Sequence, residues 1–183
     1  MTLLPPVETP GFLMRVVYRV ARRRYGKVLM PLRVIYSRAP VLLAVGLLIE
    51  WIRGHATVLD PGLRSLVTVY VSTRRSCDFC ADLGLALAVR KGMGPERFDQ
   101  LPAWRGSTAF SPRERAALAW VDDIVEDGRI GAATLAAARE LFSERELVEL
   151  TWLQASEAYF NLQARPLGIP SDELASRATA TND

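Results

Sequence analysis

An all-α fold is predicted by three observations. Apolar residues recur at helical spacing from one end of the chain to the other, no segment shows the strict alternation of a strand, and the prolines fall mostly between periodic segments. With 183 residues, half of them apolar and 23% charged, the chain can bury a core without disulfide or metal staples. The expected architecture is a single-domain bundle of about six to eight helices. Residues 1–39 form a basic helical extension, 40–170 a core, and 171–183 a polar tail expected to fray.

Each element has a local reason. Residues 11–30 are amphipathic and basic, and Pro31 ends or kinks that helix. A second helix opens near Pro40 and runs to about Arg53. Asp60-Pro61 supplies an N-cap followed by proline in the first turn, starting a helix to about Thr73. Ser76 is the expected N-cap of the next helix, which stops at Gly92. Residues 94–106 read as a short helix and loop. Ser111-Pro112-Arg113-Glu114 is a capping box opening a helix to Gly128, and Ser143-Glu144-Arg145-Glu146 repeats the pattern for a long helix to about Arg165, closed by Pro166.

Composition narrows the function. The start of the chain has no basic region followed by an apolar stretch, so no secretory signal is read there. The most apolar run, residues 39–49, is too short for a bilayer span, which takes about 20 residues, and no membrane span is expected. The expected compartment is cytoplasmic, where a structural disulfide is unusual. The first sixty residues carry nine Lys/Arg against three Asp/Glu, concentrated at Arg15, Arg19, Arg22, Arg23, Arg24 and Lys27. Without a clean apolar stripe opposite these charges, the segment is expected to pack on the core or on a neighbouring subunit. No nucleic-acid recognition unit is seen. No glycine-rich phosphate loop or other cofactor motif appears, so no bound cofactor is expected.

The chemistry-bearing motif is Cys77-Asp78-Phe79-Cys80. At a helix start, residues i and i+3 share a face, close enough for their sulfurs to join. First-turn N–H groups stabilise a thiolate, and Arg74 and Arg75 just before the helix could lower the thiol pKa further. On these grounds Cys77, nearer the helix end, is the stronger nucleophile. Redox work, core filling and an intersubunit metal all remain open from spacing alone, although two cysteines and one histidine are too few for a closed zinc site in one chain.

The stretch Leu63-Arg64-Ser65-Leu66-Val67-Thr68-Val69-Tyr70-Val71-Ser72 leading into the cysteines resembles the carboxymuconolactone decarboxylase/alkylhydroperoxidase D-like family. So does Glu114-Arg115-Ala116-Ala117-Leu118-Ala119-Trp120 followed by residues 141–150, and the ending Tyr159-Phe160-Asn161-Leu162 to Leu167-Gly168-Ile169-Pro170. The resemblance covers roughly residues 40–170 and implies an all-α fold assembling into trimers or hexamers. In the peroxidase branch it implies that Cys80 attacks a small-molecule hydroperoxide and Cys77 resolves it. An external dihydrolipoyl or thioredoxin-like thiol donor then restores the dithiol. This reverses the order expected from helix position, and the order stays open.

Two positions depart from the family. Its relay has a glutamate twelve residues before the first cysteine and a histidine four after the second, and here those places hold Ser65 and Gly84. Such a relay moves protons and is worth about 10²–10⁴-fold in rate. Candidates to support the thiols are Ser65, Arg74, Arg75, Asp82 and the lone histidine, His55, in the turn Gly54-His55-Ala56. Asp82 lies well around the helix from the cysteine face. The expected function is a weak thiol-dependent peroxidase cycling Cys77 and Cys80. The alternatives are a degenerate oligomeric scaffold or redox sensor of the same family, and a carboxymuconolactone decarboxylase-like lyase, which lacks the acid/base groups its chemistry needs.

Overall fold

A computed structural model describes residues 2–179, and among them there is no strand. The helices are α1 (Phe12–Tyr25), α2 (Pro40–His55), α3 (Pro61–Arg74), α4 (Asp78–Val89), α5 (Pro112–Asp127), α6 (Ala132–Leu141), α7 (Glu144–Ala164) and α8 (Leu174–Thr179). A π-helical turn, Leu32–Tyr36, joins α1 to α2, and a 3-10 segment, Pro95–Ala103, joins α4 to α5.

The caps behave as local chemistry requires. Asp60 accepts hydrogen bonds from the backbone N–H groups of Gly62 (2.8 Å) and Leu63 (3.0 Å) at the start of α3. Ser111 and Ser143 both form complete capping boxes with Glu114 and Glu146. The Glu146 carboxyl is held below the usual carboxylate range, first by the Ser143 N–H and then by the Ser143 hydroxyl and Arg113, against the opposing pull of burial.

Four elements differ from the sequence expectation. The first helix ends at Tyr25, because Gly26 adopts φ +75° and its N–H bonds back to the Arg22 carbonyl. Ser76 is not the N-cap of α4. It sits at φ +52° as the left-handed residue of a Schellman stop on α3, with Ser76 N–H on the Thr73 carbonyl (3.0 Å) and Cys77 N–H on the Ser72 carbonyl (2.9 Å). The N-cap of α4 is therefore Cys77. Helix α6 has no counterpart in the sequence expectation: its core-facing stripe is short, Leu135, Ala138 and Leu141, and is set in an alanine-rich run.

The fourth difference is the tail. Residues 180–183 of that stretch lie outside the described residues, but 171–179 do not fray. At six residues α8 is too short to be helical alone. It is held by Asp82 of α4, whose carboxylate accepts from the backbone N–H groups of Asp172 (3.1 Å), Leu174 (3.0 Å) and Ala175 (2.8 Å). Asp172 is clamped in turn by Lys27 (2.7 Å) and by the Met30 N–H (2.8 Å), while Leu174 and Ala178 are buried.

The core forms two clusters either side of the α3–α4 pair. One gathers Leu66, Val67, Tyr70, Leu118, Val121 and Leu150 from α3, α5 and α7. The other gathers Met14, Val34, Cys77, Cys80, Ala164 and Leu174. The basic first helix thus packs on the core, through Met14, Tyr18 and Ala21. No helix among the described residues is long and apolar enough to cross a membrane.

Replacing Asp82 with alanine removes three charge-assisted hydrogen bonds and should cost about 2–3 kcal/mol. Thermal unfolding should shift down accordingly, and amide exchange should accelerate first at residues 172–175.

Candidate functional site

Cys77 and Cys80 meet at the start of α4 because the Schellman stop turns the chain sharply between α3 and α4. Their sulfurs lie at disulfide-bonding distance, with Cα atoms 5.3 Å apart. Both are buried, at 2% and 6% exposure. Their surroundings differ. Cys80 lines a cavity of about 490 Å³ and Cys77 does not.

The cavity is roofed by α2 and the π turn, and walled by α3, α4 and α7. Most of its lining is apolar, including Leu32, Ile35, Leu43, Phe79, Leu83 and Phe160. Gly46 lets α2 approach α7 closely, since a Cβ there would lie 3.2 Å from the Phe160 ring. Tyr36, also in the lining, has its phenol pushed up to about 12, chiefly by burial and further by Tyr159 and Glu50, so it remains a proton-bearing donor at neutral pH.

Ser65 and Gly84, at the positions of the family relay, both face this cavity. Ser65 donates to the Pro61 carbonyl (3.1 Å) and accepts from Lys91 Nζ (3.3 Å). Gly84 sits where α4 crosses α3, and a Cβ would meet Val69 Cγ2 at 3.1 Å. The missing side chain is therefore coupled to a tight helix crossing as well as to the cavity.

The other sequence candidates are not brought to the cysteines. Arg74 bonds Glu126 (2.6 Å) and Asp122 (3.2 Å), a buried acid that also takes the Tyr70 hydroxyl (2.6 Å). Arg75 is half-buried and outside the cavity lining. Asp82 spends both carboxylate oxygens on the start of α8. His55 closes α2, exposed, stacked on Trp51 and with its ring nitrogen at the Trp51 carbonyl.

What sequence reasoning missed is a buried ion pair on the cavity wall. Arg53 and Glu157 pair at 2.8 Å, with Arg53 also bonded to Glu50 (2.7 Å) and to Ser156 (3.1 Å). The second Glu157 oxygen accepts from Ser72 (2.7 Å) and Asn161 (3.1 Å). Burial alone pulls the Arg53 pKa down, and the Glu157 and Glu50 carboxylates more than reverse that. Arg53 and Glu157 lie over a hundred positions apart, and no local pattern signals their meeting.

Residues 47–123 match the carboxymuconolactone decarboxylase family. The uncharacterized protein YnjA of Escherichia coli (strain K12) is 31% identical over 179 residues, covering 93% of this chain and 94% of its own length. Among solved structures, the debrominase Bmp8 superposes with a TM-score of 0.79 at 15% identity, covering 97% of this chain and 96% of its own. A peroxidase-related protein with an alkylhydroperoxidase AhpD core, from Ralstonia eutropha JMP134, superposes with a TM-score of 0.77 at 19% identity, covering 94% and 92%. At these identities the two structures speak for the fold alone.

Substituting Arg53 with leucine leaves Glu157 buried without its cation and should cost about 3–5 kcal/mol, most of it recovered when Glu157 is also made leucine. Chemical denaturation of the two variants measures this. At Gly84, alanine gains about 1 kcal/mol of helix propensity but overpacks against Val69 at a cost of about 1–3 kcal/mol. Gly84→Ala should therefore destabilise the native background and become neutral or stabilising in Val69→Ala, a coupling readable in a double-mutant cycle.

Proposed function

The chain belongs to the carboxymuconolactone decarboxylase family, and within it we propose that it is a thiol-dependent oxidoreductase that reduces hydroperoxides through Cys77 and Cys80. The observation that carries this reading is the asymmetry of the pair: two cysteines within bonding reach, of which only Cys80 opens onto a largely apolar cavity. A hydroperoxide entering that cavity meets the Cys80 sulfur first.

The electron balance is that of a dithiol peroxidase. The Cys80 thiolate attacks the terminal peroxide oxygen, the O–O bond breaks, and the departing alkoxide takes a proton to leave as an alcohol. Cys80 is then a sulfenic acid. The Cys77 thiol attacks its sulfur, forming the disulfide and releasing water. An external dithiol returns two electrons by exchange. Both sulfurs are nearly inaccessible, which favours a slender donor such as a dihydrolipoyl arm over the flat face of a folded partner. Because Ser65 and Gly84 cannot relay protons, turnover is expected to be slow.

Assembly into a homo-oligomer is part of the same reading. Helix α2 leaves Val41, Leu47, Leu48 and Trp51 more than half exposed, an apolar face that suits a subunit contact.

The test is anaerobic thiol titration before and after a small excess of an alkyl hydroperoxide, on the native chain and on Cys77→Ser and Cys80→Ser. Two thiols should be lost faster than from a free cysteine, returned by dihydrolipoamide, and the paired loss should vanish in both variants. Thiols reacting no faster than a free cysteine would sink the peroxidase and favour the scaffold or sensor alternative, which the absent relay already suggests.

A further inference from the structure

One face of α4 and the turn after it contributes Cys80, Gly84, Leu87 and Lys91 to the cavity, in steps of four, three and four residues. These positions form a single stripe along the cavity wall. At its far end the charge changes character. Lys91 is solvent-exposed, and among the described residues its Nζ donates to the Ser65 hydroxyl alone (3.3 Å). Arg64 spends Nη1 on the Arg53 carbonyl and on Thr57 Oγ1 (2.9 Å), while its buried Nε has no hydrogen-bond partner. Neither cation pairs with a carboxylate among the described residues. The acids that do line the cavity, Glu50 and Glu157, are both bonded to Arg53.

We propose that this end of the cavity is a carboxylate-binding subsite, and that the protein takes an amphipathic acid with its apolar chain along the cavity and its carboxylate on Lys91 and Arg64. The lining fits that shape, since the wall between Lys91 and Cys80 presents Leu87 and Leu83, and no charged residue stands on that stretch of the stripe. Lys91 lies eleven positions beyond Cys80, about 16 Å of helical rise, and the lysine side chain spans part of it to reach Ser65. A carboxylate seated there stands on the order of 10 Å from the sulfur. The Ser65 hydroxyl has a part in this that a glutamate at the same position could not take. It offers Lys91 a neutral acceptor that an incoming anion can replace, whereas a glutamate would neutralise the cation itself.

The inference rests on the cavity being the substrate site of the thiol pair, as proposed above, and its test is one of binding so that the two can fail separately. Octanoate and 1-octanol, equal in chain length, are titrated calorimetrically into the reduced protein at low salt. The same is done for Lys91→Met and Lys91→Arg, and all proteins are assayed for hydroperoxide turnover. Octanoate should bind about fivefold tighter than the alcohol, the gap closing in Lys91→Met and returning in Lys91→Arg. Equal affinity for acid and alcohol, no octanoate binding, or a gap unmoved by Lys91→Met would each overturn the subsite. A gap that behaves as expected while hydroperoxide turnover is nil would uphold the subsite and sink only the peroxidase.

Discussion

The cavity exists because Glu157 is buried and satisfied. Its two oxygens are divided between Arg53 of α2 and the Ser72–Asn161 pair of α3 and α7, so a single carboxylate fixes three helices around one space. An uncompensated charge at this depth would cost several kcal/mol, which makes the geometry nearly all-or-none. Helix α2 needs that anchor. Of its sixteen residues only Gly46 and Arg53 are buried, one a close approach to Phe160 and the other the ion pair. Apolar packing at the roof comes from the π turn and from the half-buried Leu42 and Leu43 of α2. The charge pair and the close approach at Gly46 add to it.

The relay positions take on a different meaning once placed in space. Ser65 and Gly84 both face the cavity, and neither brings a side chain suited to general acid/base work. Gly84 allows α4 to lie close to Val69, and Ser65 supports Lys91 instead of moving protons. At these two positions the wall has close packing and a bonded cation.

How much of this was legible in the sequence follows from how far apart the interacting residues are. The caps at Asp60, Ser111 and Ser143 are contained within four residues each, and the sequence displays them directly. The meeting of Cys77 and Cys80 is equally local. Ser76 misleads because serine is a common N-cap, and only the turn of α3 shows that it is needed as a left-handed stop. The Ala-rich α6 hides because its stripe of Leu135, Ala138 and Leu141 is short and the surrounding alanines blur the contrast between faces. Arg53–Glu157 and the clamp on α8 join residues roughly ninety to a hundred positions apart, and nothing short-range announces either. His55, singled out for its chemistry, turns out to be an exposed helix end.

The Asp82 clamp has a consequence for how the chain is made. The helix that carries both cysteines emerges from the ribosome long before residues 172–175, yet those residues supply every donor its Asp82 carboxylate uses. Until they appear, that acid faces water and the Cys77 side of the core lacks Leu174 and Ala178 as cover. The buried cluster that holds both cysteines is therefore completed only when α8 docks.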